Sequence, residues 1–78
     1  MLKILFVDDD RDLALLVKEW LVSQNYSLEL AHDGSTGYEF VKAGYFDLII
    51  LDWDLPGMNG IEICQRFRNS GGLTPILL

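Results

Sequence analysis

The chain has one cysteine, one histidine and two widely spaced prolines among its 78 residues. A lone thiol, Cys64, excludes an internal disulfide, so nothing here calls for an oxidising compartment. Basic residues are scarce as well: six Lys and Arg stand against twelve Asp and Glu, a formal net charge of −6. That balance argues against direct contact with nucleic acid or with an anionic membrane surface. It suits a bound cation, or a basic face on a protein partner. Long apolar runs are missing too. No stretch approaches the ~20 residues of a membrane span. Asp8 interrupts the opening MLKILFV before it reaches the ~7–15-residue core of a signal peptide. A cytoplasmic location without membrane contact is the expectation. Repeats, linkers and low-complexity segments are absent.

What is present is a globular composition, 50 % hydrophobic and 23 % charged. So short a chain allows one domain at most. Residues 2–7, LKILFV, are almost wholly apolar, the pattern of a strand covered on both faces. After three aspartates, Leu13, Leu16, Val17, Trp20 and Leu21 recur at helical spacing as one apolar stripe, which puts Trp20 in the core. Asp9 or Asp10 is the expected N-cap, Asp12 adds charge where the helix dipole favours it, and Asn25 ends the helix. Residues 27–32, SLELAH, alternate like a strand near a sheet edge. Asp33-Gly34 reads as a turn, and residues 35–43 as a short helix stopped by Gly44 in the C′ position. DLIILD is a second buried strand. Residues 61–68 return to helical spacing with Ile63, Cys64 and Phe67 on one face, and PILL starts a fourth strand.

The order β-α-β-α-β-α-β, with short buried strands, implies an α/β fold with a doubly wound parallel sheet and right-handed crossovers. Such sheets form their sites at the carboxyl ends of the strands. Asp8 and Asp9 end the first strand and Asp52 ends the third, so three carboxylates should converge on one pocket. Like charges so close repel, and a hard divalent ion compensates them. Mg2+ suits one or two carboxylates together with waters and a phosphate oxygen. A carboxylate held there serves as a metal ligand, or as a nucleophile that forms an aspartyl phosphate. Single aspartates after strands commonly do no more than cap the next helix. Three that converge from adjacent strands argue for chemistry.

The segments KILFVDDD, AHDG, FDLIILDWDLPGMNGIEICQRFR and TPILL resemble the receiver domain of two-component response regulators, in order and along the whole chain. The nearest likeness is to receivers that precede winged-helix DNA-binding output domains. The resemblance implies a flavodoxin-like fold, incomplete here as β1-α1-β2-α2-β3-α3-β4, with residues 1–78 the N-terminal part of a receiver domain. It implies that Asp52 is phosphorylated by a sensor histidine kinase. Asp9 then matches a direct Mg2+ ligand, Asp8 acts largely through water, and the backbone carbonyl of Asp54 completes the metal site. Pro56 and Gly60 match residues that shape the following loop. DNA would be reached only through an output domain absent from this chain.

The chain departs from the family in what it does not carry. A Ser or Thr beyond the fourth strand and a lysine ending a fifth strand, both partners of the phosphoryl group, are not among these residues. Lys3, Lys18 and Lys42 are not placed to substitute. The fourth strand should thus be an open edge, so self-association through that edge is expected.

Two other readings stay open. The hhhhDxD pattern around Asp52 also opens haloacid-dehalogenase-type phosphohydrolases, with Asp54 as the acid; there, however, the motif lies on the first strand. A phosphorylation-independent truncated receiver would act only as a binding module. Otherwise the reading is a signalling module and not an enzyme. His32 reads as ordinary surface, Cys64 as a small core residue, Trp53 as the rim of the pocket, and Gly37 as a site of close helix–sheet packing.

Overall fold

Four strands alternate with three helices: β1 Lys3–Val7, α1 Arg11–Ser23, β2 Ser27–Ala31, α2 Gly34–Ala43, β3 Leu48–Leu51, α3 Gly60–Asn69 and β4 Ile76–Leu77. The computed structural model describes all residues, 1–78. All strand pairs are parallel and the order is β2-β1-β3-β4. The chain runs from β1 outward to β2 and then back past β1 to β3, so the topological switch point lies between β1 and β3.

Alternation along the strands feeds two apolar layers. Leu5, Val7, Ile49 and Leu51 pack under α2 and α3 through Val41 and Ile63. Ile4, Phe6 and Leu28 pack under α1 through Ala14 and Leu21. No charged or polar residue is fully buried. The apolar strand runs predicted this double burial.

The first helix departs from expectation. Its buried residues are Ala14 and Leu21, whereas Trp20 is 64 % exposed and Leu16 is equally so. Trp20 is therefore not a core residue. A single helix lies on this face, against β1 and β2, and Leu16 and Trp20 on its flank border an open apolar groove with Ile50 of β3. Leu48 and Ile50 are only half-buried there, and Leu77, beside Ile50 in the β3–β4 register, is exposed. A groove of about 510 Å³ runs between Leu2, Trp20, Leu48 and Ile50.

Each helix starts on a side-chain cap. Asp10, Asp33 and Asn59 accept from the backbone N–H three residues ahead, at 3.0, 2.7 and 2.8 Å. Asn25 adopts φ 68° just past α1, the left-handed turn expected where that helix stops. Gly44 differs: its φ of −117° and ψ of 172° are extended. The chain leaves α2 straight toward β3, and no left-handed C′ residue is used.

Candidate functional site

Asp8 and Asp52 are the first residues past β1 and β3. The ladder continues one step beyond the strands to hold them. Asp52 N–H donates to Val7 O at 2.9 Å, and Asp8 N–H donates to Ala31 O at 3.0 Å. Oxygens of Asp8, Asp9 and Asp52 all lie within 4.8 Å of one another, with Asp8 and Asp52 half-buried and Asp9 exposed. The three carboxylates expected to converge do so. Asp8 Oδ1 accepts from Asp10 N–H at 2.9 Å, which braces the turn into α1. Asp10, not Asp9, caps the helix, and this leaves the Asp9 carboxylate free to face the cluster.

The loop after β3 is shaped by close backbone approaches. A Cβ on Gly60 would stand 2.3 Å from Asp52 O, and one on Gly34 would overlap Met58 O at 1.5 Å. Gly34 is thus the first residue of α2, seated on the loop, and Pro56 O accepts its N–H at 2.9 Å. Gly37 faces Val7 as close packing required, with 2.9 Å from its would-be Cβ to Val7 Cγ1. Trp53, 58 % exposed, stands at the rim, and Asp54 is exposed beside it. Cys64 is half-buried.

His32 was expected to be plain surface. It is half-buried, with Nδ1 3.1 Å from the carbonyl oxygen of Asp8. The contact follows from the pairing of Val7 with Ala31, which sets Asp8 and His32 side by side. Nothing local in the sequence carries that register.

The charge of the cluster is not balanced from within the chain. The salt bridges are Lys42 to Glu39 and Arg66 to Glu62, both along helices, and Lys3 lies over Phe46. Away from the cluster, Asp33 has its carboxyl held below the ordinary 3.8, chiefly by the Thr36 N–H and then by the Thr36 hydroxyl. The donors are all hard carboxylate oxygens. A hard divalent cation takes oxygen ligands of this kind, and Mg2+ is held by one or two carboxylates with waters filling its other positions. The residues fit Mg2+.

A family model for the response regulator receiver domain matches residues 4–78. The chain belongs to the response regulator receiver family. Response regulator RppA of Synechocystis sp. is 37 % identical over 79 residues, with 99 % of this chain and 34 % of the relative covered. Response regulator ArlR of Staphylococcus aureus is 40 % identical over 78 residues, covering 100 % of this chain and 35 % of its own length. The receiver thus spans about a third of the length of these relatives. A Francisella response regulator receiver domain superposes with a TM-score of 0.94 at 26 % identity, covering 97 % of this chain and 63 % of its own. Response regulator TrrA of Thermotoga maritima, solved with Mg2+ and BeF, gives 0.84 at 34 % identity, over 91 % of this chain and 62 % of its own. In its complex with histidine kinase ThkA, TrrA gives 0.88 at 33 % identity, over 97 % of this chain and 66 % of its own. Receivers are signalling modules. The fold expected from the sequence, four parallel strands and three helices in receiver order, is the fold found.

Proposed function

We propose that this chain, residues 1–78, is the N-terminal part of a receiver domain whose Asp52 accepts a phosphoryl group from a sensor histidine kinase. An Asp52 carboxylate oxygen attacks phosphorus on the partner's phosphohistidine. The P–N bond breaks, and its electron pair returns to the imidazole. Mg2+, held by Asp9, Asp52 and the Asp54 backbone carbonyl with Asp8 acting through water, would neutralise charge on the phosphoryl oxygens during transfer. The single observation that carries this reading is the approach of three carboxylates to within 4.8 Å without a protein cation among them.

The protein's own groups prepare the nucleophile. The ladder bond from Asp52 N–H to Val7 O fixes the backbone, and half-burial limits the water around the carboxylate. In a longer parent the receiver would act in the cytoplasm through an output domain that binds DNA, since a formal charge of −6 disfavours DNA contact here. No helix is long and apolar enough to cross a membrane. The hydrolase reading is weaker, because the nucleophile sits on the third strand and not the first.

Incubation with a small phosphodonor and Mg2+, followed by mass analysis, tests the assignment. One phosphoryl group on Asp52 is expected, with slow formation, since none of Lys3, Lys18 and Lys42 stands at a strand's carboxyl end to share the phosphoryl charge. Label on His32, or labelling that survives Asp52→Asn, overturns the reading.

A further inference from the structure

Asp9, the direct ligand in the proposed reading, is exposed and takes no hydrogen bond of its own. Only its backbone can aim it. After it comes Asp10, fixed as the cap of α1. Before it, the peptide groups of Asp8 are gripped by two consecutive residues at the end of β2. Asp8 N–H donates to Ala31 O at 3.0 Å, and His32 Nδ1 lies 3.1 Å from Asp8 O. A carbonyl oxygen only accepts, so in this contact Nδ1 is the nitrogen that donates a hydrogen. That carbonyl lies in one peptide plane with the N–H and Cα of Asp9. Holding the oxygen therefore fixes the peptide plane from which Asp9 departs, and with Asp10 fixed as the cap on its other side the turn of Asp9 is held from both ends.

The two residues after His32 reach the other side of the site. Asp33 caps α2, and Gly34 N–H donates to Pro56 O at 2.9 Å. Residues His32 to Gly34 thus tie the loop after β1 to the loop after β3. These two loops carry all three carboxylates.

We infer that His32 is a positioning residue for the metal: its Nδ1–H holds the Asp8 carbonyl and so keeps Asp9 in ligating position. This rests on the Mg2+ reading of the acidic cluster. An ordinary surface histidine would favour neither ring nitrogen through a fixed backbone partner, and its loss would not reach a carboxylate on another strand.

The test is a titration with Mg2+ alone, read by Trp53 fluorescence in a Trp20→Phe background. His32→Ala should weaken binding about tenfold, the low end of what losing an outer partner of a metal ligand costs. His32→Asn, whose amide N–H takes the place of Nδ1–H, should restore wild-type affinity. His32→Gln, whose donor sits where Nε2 was, should not. Nitrogen-15 NMR of the metal-free chain at pH 8 should show hydrogen on Nδ1. Equal affinity in His32→Ala, equal rescue by Gln and Asn, or hydrogen on Nε2 would overturn the inference. If His32→Ala fails to fold, the Asn and Gln variants and the tautomer still decide it. A wild-type chain that ignores Mg2+ would instead sink the metal reading itself, and this inference with it.

Discussion

Alanine at position 60 probes the contact directly beneath Asp52. Gly60 opens α3 immediately after its cap, and its φ lies outside the left-handed region, so alanine meets no backbone strain. Alanine is even the better helix former, by at most ~1 kcal/mol. Against that gain stands one overlap. The new Cβ would lie 2.3 Å from Asp52 O, whereas ordinary contact begins at 3.4 Å, so the gap must open by 3.4 − 2.3 = 1.1 Å. Backbone stands on both sides, and neither can rotate away as a side chain could. Either α3 lifts from the end of β3, taking the fully buried Ile63 with it, or the Asp52 peptide tilts.

Overpacking of this kind costs ~1–3 kcal/mol, and a backbone overlap belongs near ~3. The net loss is ~2 kcal/mol, from a total on the order of 4–12 kcal/mol for a chain of this length. Urea unfolding followed by circular dichroism measures it. Gly71→Ala is the contrast: nothing lies within 4 Å of its would-be Cβ, but its φ is +93°. That variant should lose ~1–2 kcal/mol to left-handed strain while leaving any Mg2+ response intact, whereas Gly60→Ala should disturb both. A Gly60→Ala chain at least as stable as wild type would show that α3 yields freely and that the approach to Asp52 constrains nothing.

Mg2+ should change the fluorescence of Trp53, and the response should vanish in Asp9→Asn and Asp52→Asn; an equal response in Asp52→Asn would count against the site. The flank of Leu16 and Trp20, the half-bare Ile50 and the open edge at Ile76 and Leu77 leave apolar surface that a second chain can cover. Sedimentation equilibrium at micromolar concentration should therefore report a dimer or larger, and a compact monomer that unfolds cooperatively would refute this. Asp33 has its carboxyl held below 3.8 by the Thr36 N–H. Its contribution to stability is complete above that unfolded value and fades as the pH falls through the lower folded one. Acid titration of Asp33→Asn, which can still cap α2, should lack that part of the decline; superimposable acid curves would show that the cap charge is irrelevant.

The sequence revealed the fold and the acidic cluster for one physical reason: both depend on residue identity at fixed places along single elements. Apolar runs such as Leu5 to Val7 and Ile49 to Leu51 declare doubly covered strands, and the aspartates that end them declare where charge meets solvent. Trp20 misled because helical spacing shows which residues share a face, not how far the neighbouring element extends. With α1 alone on its side of the sheet, the covered arc narrows to Ala14, Val17 and Leu21. His32 reads as ordinary surface in the sequence because its meaning depends on a relation between two strands. Shifting β2 by one residue against β1 would move Nδ1 away from the Asp8 carbonyl without changing any local pattern. Gly34 and Gly60 belong to the same class. Each looks like turn chemistry in isolation, yet each is required where one backbone presses on another, Gly34 on Met58 and Gly60 on Asp52. The carboxylates can be read from the chain, but what holds them in place is set by register and by contacts between loops.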